Sequence, residues 1–200
     1  MNAAATAWSP EYTRVLRGVH HLVFNTEDMK ATIDFYSGVL GMPLVGAIKV
    51  EPELATGAGN RGNPPFDNIR HYFFDMGNDS MLAFFEMPKG AKPRGDRDAI
   101  GNTQHVSFVA TPEMQVAMRD RLRAFGVECT DPIEVSPGGY SVYFYDPVNG
   151  IRLELSTHPR QGANQAVIAH RGQTKAMARR ELATLTDDAA WIERAIQAFK

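Results

Sequence analysis

The sequence predicts an α+β fold of two tandem βαβββ modules, whose curved sheets enclose one cleft, followed by a helical tail. Three observations predict it. The order strand, helix, three strands occurs twice between residues 18 and 157. Each copy opens on a strand with a histidine and closes on a strand with an acid. From His21 to Glu86 is 65 residues and from His105 to Glu154 is 49, and the surplus is close to the length of one Gly/Pro/Asn-rich stretch, 51–68.

In the first module, spanning 18–88, VHHLVFN (19–25) is a β-type run punctuated by Thr26, Glu27 and Asp28. MKATIDFYSGVLG (29–41) puts Met29, Ile33, Tyr36 and Leu40 on one helical face, with Gly41 as the stop. Strand-like PLVGAIKV, IRHYFFDMG and MLAFFEMP follow, and Asn78-Asp79 supplies the turn between the last two. The stretch 51–68 reads as a loop insertion bordering the cleft.

A polar linker, 89–103, leads into the second module, 104–157. QHVSFVA is a strand, and TPEMQVAMRDRLRAFG is an amphipathic helix with Thr111 as N-cap, Pro112 in the first turn and Gly126 at its end. CTDPIEV, YSVYFYD and IRLELST are three further strands, with Gly138-Gly139 and Asn149-Gly150 as turns. Residues 1–17 form an N-terminal extension and 158–200 a C-terminal one. In the latter, GQTKAMARRELATL and DDAAWIERAIQAF have helical periodicity, anchored by Trp191, Ile192 and Ile196. Their expected place is against the barrel or a partner subunit, and the protein is expected to be a homodimer.

Composition removes several classes of function. With 200 residues, 44% hydrophobic and 22% charged, the chain is ordinary for a soluble protein. A formal net charge of −2 gives no electrostatic reason to bind nucleic acid or an anionic membrane. No apolar stretch approaches a membrane span, and the start, MNAAATAWSPEYTR, lacks the apolar core of a signal peptide. Cys129 is the single cysteine, so no intrachain disulfide forms, which suits a cytoplasmic location.

Four residues in matched positions carry the chemistry: His21, His105, Glu86 and Glu154. If the modules pack about a pseudo-twofold, these side chains can converge on one point. Imidazole and carboxylate suit Fe(II), Mn(II), Zn(II), Ni(II) and Co(II), and two His with one carboxylate make the facial triad of non-haem Fe(II) oxygenases, so Fe(II) is favoured. A carboxylate within LEL or FFEMP is costly to bury unless paired or metal-bound. His20 adjoins His21 and is expected to face the other way. His71, mid-strand, can enter the pocket, whereas His158 and His170 fall in the tail.

The residues HHLVFNTEDMKATIDFYSGVLGM and YFYDPVNGIRLEL carry a resemblance to the vicinal oxygen chelate superfamily. This group includes glyoxalase I, extradiol ring-cleavage dioxygenases, methylmalonyl-CoA epimerase and fosfomycin-resistance proteins. The resemblance covers 18–157. It selects His21 over His20, seven residues before Asp28, and ends on Glu154, with one extra residue between Pro147 and Gly150. It implies a metal that binds vicinal oxygens of a small-molecule substrate and stabilises charge developing there.

Extradiol dioxygenases share the ligand set of His21, His105 and Glu154, and Tyr143 fits the place of their active-site tyrosine. Their acid–base His, about nine residues before that Tyr, is missing from Glu134 to Pro137, and His71 or Tyr140 would have to substitute. Glyoxalase I resemblance rests on Glu86 as a ligand, but its glutathione-binding Arg is Asn25 here. The aromatic run of unit one, Tyr72, Phe73, Phe74, Phe84 and Phe85, suits an apolar or aromatic substrate. The first reading is therefore a dioxygenase acting on a catechol-like substrate, with Tyr143, Glu86 and His71 as catalytic candidates. The second is a glyoxalase- or epimerase-like lyase or isomerase, and the third a non-catalytic small-molecule binder.

Overall fold

A computed structural model of the protein describes residues 18–49, 69–90, 92–157 and 174–196. The expected N-terminal extension and the 51–68 insertion lie outside these residues, as do His158 and His170. The described residues fall into two compact units, 18–157 and 174–196.

The first unit is α+β and holds two four-stranded mixed sheets. One contains β1 (His21–Thr26), β2 (Leu44–Lys49), β3 (Arg70–Gly77) and β4 (Ser80–Glu86), in the order β1-β4-β3-β2. The other contains β5 (Val106–Val109), β6 (Ile133–Ser136), β7 (Gly139–Tyr145) and β8 (Arg152–Ser156), in the order β5-β8-β7-β6. In each, the first strand runs parallel to the fourth and the rest are antiparallel. The hairpin between β3 and β4 turns on Asn78 and Asp79, with φ of 52° and 56°, left-handed values that favour Asn and Asp there.

Crossover helices join first and second strands. α1 (Met29–Ile33) is capped by Asp28, whose side chain accepts from Ala31 N at 2.9 Å. It continues as a π-helical segment, Asp34–Val39. The wider winding shifts the buried face: Phe35 and Val39 enter the core with Met29 and Tyr36, while Ile33 and Leu40 are half-buried. The second crossover, α2 (Pro112–Ala124), is capped by Thr111 and ends before Gly126 at φ 74°.

One hydrophobic core spans both modules. Tyr36, Phe74, Leu82 and Phe84 of the first pack in the same cluster as Leu122, Val142, Phe144 and Leu153 of the second. Within it, Tyr36 Oη donates to Asp146 Oδ2 at 3.1 Å, and at the surface Arg121 Nη2 donates to Gly38 O at 2.6 Å. This core covers one face of each sheet and leaves the other face for a site.

The second unit is a pair of short helices, α3 (Lys175–Leu182) and α4 (Ala189–Ala195). Ala178, Ile192 and Ile196 are buried between them, with Leu182 and Trp191 packed alongside, and Arg179 Nε pairs with Glu193 Oε1 at 2.7 Å. Among the described residues no helix is long and apolar enough to cross a membrane.

Candidate metal centre

Glu154 lies mid-β8, opposite Ser107 of β5 on one side and Tyr143 of β7 on the other. It is only 6% exposed, so its charge needs partners. Oε1 accepts from Ser141 Oγ at 2.5 Å and Ser156 Oγ at 2.8 Å. Oε2 is left facing His105 Nε2 at 2.9 Å. Burial pushes the carboxyl up, but the hydrogen bonds from Ser141, Ser156 and Tyr143 and the charge of His105 outweigh it, and the net shift is downward. Glu154 is therefore an anion with one oxygen anchored and the other free to ligate.

His105 immediately precedes β5. Its Nδ1 bonds to Gln104 Oε1. The orientation of that amide is set by its other contacts: Arg152 Nη1 donates to Oε1 at 3.3 Å, and Nε2 donates to Asp98 Oδ1 at 3.3 Å. Gln104 Oε1 can only accept, so His105 Nδ1 carries the hydrogen and Nε2 is the nitrogen turned to Glu154. A nitrogen 2.9 Å from a carboxylate oxygen requires a cation shared between them, either a proton or a metal ion. An imidazole nitrogen and a carboxylate oxygen converging on one point suit a divalent transition metal.

Tyr143 shares the Glu154 face. Its ring centroid is 6.3 Å from that of His105 and 4.4 Å from the Arg152 guanidinium carbon. Burial, and next the Glu154 charge, raise its phenol, so the hydroxyl remains a donor at neutral pH.

The first sheet holds the other histidines. His21 opens β1 opposite Met81, with its ring 5.9 Å from Phe73 and 6.5 Å from His71. His20 does not face away as expected: its Nδ1 lies 2.7 Å from His21 Nδ1, because the strand that would impose alternation begins only at His21. His71 stacks on Phe85 at 3.9 Å and lies 4.3 Å from Phe73. Gly46 stands opposite Phe73, where a Cβ would come within 3.0 Å of that ring. His71 Nε2 is buried and has no partner among the described residues. Burial first, then the neighbouring His21, lower its pKa to about 4, so it is a neutral imidazole at pH 7.

Glu86 is elsewhere. His21, Val23 and Asn25 pair with Met81, Ala83 and Phe85, so those residues share the site face. Glu86 alternates with Leu82 and Phe84 and falls on the helix-covered face. There its Oε1 accepts from Met29 N at 3.0 Å, and Oε2 pairs with Arg70. Pairing also corrects the match between modules. Glu154 lies opposite Tyr143 and Ser107; the residue so placed in the first sheet, opposite Phe73 and Val23, is Ala83. Glu86 is three residues further on, an odd number, which reverses the face.

The candidates thus form two half-sites. His21 and His71 share the face of the first sheet, and His105, Tyr143 and Glu154 that of the second. Among the described residues no three of His, Cys, Asp and Glu are close enough to hold one metal ion. Sequence reasoning overlooked Ser141 and Gln104, which fix Glu154 and His105. The signal for Ser141 was present: in YSVYFYD it alternates with Val142 and Phe144 and so belongs to the polar face.

The family described as the Glyoxalase/Bleomycin resistance protein/Dioxygenase superfamily matches residues 18–155. A glyoxalase/dioxygenase from Nostoc punctiforme is 21% identical, with a TM-score of 0.54, covering 78% of this chain and 98% of its own. A glyoxalase family protein from Enterococcus faecalis is 21% identical, with a TM-score of 0.52, covering 70% and 97%. A fosfomycin resistance protein variant, FosX from Listeria monocytogenes, complexed with Mn(II) and 1S,2S-dihydroxypropylphosphonic acid, is 18% identical, with a TM-score of 0.50, covering 73% and 94%. No curated protein matches the chain.

Proposed function

Because the chain belongs to the Glyoxalase/Bleomycin resistance protein/Dioxygenase superfamily, we propose that it is an Fe(II)-dependent ring-cleavage dioxygenase acting on a catechol-like substrate. His105 and Glu154 of one copy and His21 of a second copy hold the metal. The observation that carries this reading is the face occupied by Glu86. With Glu86 turned to Arg70 and Met29, the residues that would hold a metal are two imidazoles and one carboxylate, the donor set of non-haem Fe(II) oxygenases. The lyase or isomerase reading needs Glu86 as ligand or base and loses its acid.

Homodimer formation is supported by the surfaces of the half-sites. Val23 and Ile48 on the first site face, and Val109 and Ile133 on the second, are 40–52% exposed. Apolar residues on the faces that carry ligands suit coverage by a second copy.

Fe(II) held by His105, Glu154 and His21 would supply Lewis acidity and one-electron chemistry for a vicinal diol and dioxygen. The residues of the chain supply the rest. Phe73 and Phe85 flank the aromatic ring of the substrate. His71, neutral and with Nε2 unpartnered, takes a proton from a catechol hydroxyl, and Tyr143 donates a hydrogen bond. His71 fills the acid–base role for which Glu134 to Pro137 offer no histidine.

The test is anaerobic reconstitution with Fe(II), followed by catechol and 18O-labelled dioxygen. Oxygen uptake with both labelled atoms in a ring-opened product is expected. No uptake, together with turnover of a hemithioacetal or an epimerisable acid, would move the chain to the lyase or isomerase branch.

A further inference from the structure

The segment joining the modules packs back on the second one. Arg94 Nη2 donates to Val148 O at 2.7 Å, and Asp98 Oδ1 accepts from Gln104 Nε2 at 3.3 Å. Between these anchors, the Arg97 guanidinium carbon lies 5.7 Å from the Tyr145 ring centroid. Tyr145 pairs with Arg152 and lies two residues from Tyr143 on the same face of β7, about 7 Å along the strand. The Arg152 guanidinium lies over Tyr143. Two guanidinium groups therefore stand on the Glu154 face, at the end where His105 enters β5.

Their charge is thinly compensated. The carboxylate paired with Arg97 is Asp98 at 3.5 Å, a long contact, and Arg97 Nη1 is buried with no partner among the described residues. Among the described residues, Arg152 Nη1 reaches only the neutral Gln104 Oε1, at 3.3 Å. A buried N–H without an acceptor is unfavourable, and a guanidinium presents paired donors whose geometry matches a carboxylate.

We propose that Arg97, with Arg152 beside it, binds a carboxylate carried by the substrate, so that the preferred substrate is a vicinal diol bearing an acid group, a dihydroxybenzoate rather than a neutral catechol. This rests on the ring-cleavage reading. Phe73 and Phe85 face the ring and the guanidinium groups at the rim take the acid, while a metal held by His105, Glu154 and His21 would serve the two hydroxyl oxygens.

Equilibrium binding to the Fe(II)-loaded protein, kept anaerobic and followed by calorimetry, tests this with 3,4-dihydroxybenzoate, its methyl ester and catechol. The acid is expected to bind at least about tenfold more tightly than the ester, as the loss of one charge-assisted pair implies. Arg97→Gln should bring acid and ester within about twofold, and Arg97→Lys should recover part of the preference. Arg152→Gln provides the same comparison if Arg97→Gln does not fold. Binding of all three ligands with no preference for the acid would overturn this inference and leave the ring-cleavage reading standing. Failure of all three to bind would overturn that reading, and this inference with it.

Discussion

Ala83 and Glu154 occupy equivalent places in the two sheets, one opposite Phe73 and Val23, the other opposite Tyr143 and Ser107. The repeat thus carries one carboxylate on its site faces at this position, not two. Glu86 instead joins Arg70 to the first turn of α1. Glu86→Gln is expected to retain full metal occupancy while losing about 1 kcal/mol of stability, because the amide keeps an acceptor for Met29 N but loses its charge. Elemental analysis and denaturant unfolding measure the two effects. Loss of metal in that variant would return Glu86 to the ligand set.

Ser141 is expected to tune the metal from one step away. Its hydroxyl, 2.5 Å from Glu154 Oε1, holds the carboxylate so that Oε2 points at His105. Ser141→Ala should weaken metal binding by about 10- to 100-fold, the usual effect of removing such an outer partner. Competition with a chromogenic chelator reads this directly. An unchanged affinity would mean that Ser156 alone orients the carboxylate.

His71 makes stability depend on pH. Its pKa of about 4 in the folded protein lies below the ordinary imidazole value of 6.5. Between those two values the unfolded chain binds a proton that the folded chain excludes, so stability contributed by neutral His71 is present above pH 6.5 and is lost as pH falls toward 4. In metal-free protein, the loss of stability from pH 7 to pH 5 should be smaller in His71→Gln than in wild type. Equal losses in the two proteins would contradict a buried, neutral His71.

The two modules are linked through the buried bond from Tyr36 Oη to Asp146 Oδ2. Asp146 also accepts from Val148 N and from Asn149 N and Nδ2, and so holds the turn that leads into β8 and Glu154. Tyr36→Phe removes one of several donors without opening a large cavity. It should destabilise the protein by about 1 kcal/mol and leave metal binding intact. A loss of metal binding would place Tyr36 in the support of Glu154.

Much of this was legible in the sequence because strand alternation and turn chemistry are local. YSVYFYD separates its polar from its apolar face by itself, and Asn78-Asp79 and Gly126 mark turns that the backbone adopts. The phase of the first helix was not legible, because the π-helical winding at Asp34–Val39 breaks the 3.6-residue period on which the expected face rested. The role of Glu86 was not legible for a different reason. Whether Glu86 lies level with His21 depends on the register between β1 and β4, a pairing of segments some 60 residues apart that spacing alone does not determine. Whether the two half-sites meet within one chain or between two depends on the packing of whole modules, which no local pattern encodes.

Mixing two defective chains tests the shared metal site most directly. His21→Ala and Glu154→Ala proteins each lack one ligand, and each alone should bind little metal. If His21 of one copy completes the His105 and Glu154 pair of the other, a mixed dimer contains one site with both residues intact. Unfolding and refolding the two proteins together should then restore about half of the wild-type metal content in the mixed dimers. Metal content that stays at the level of the separate variants, in dimers verified to be mixed, would contradict the account.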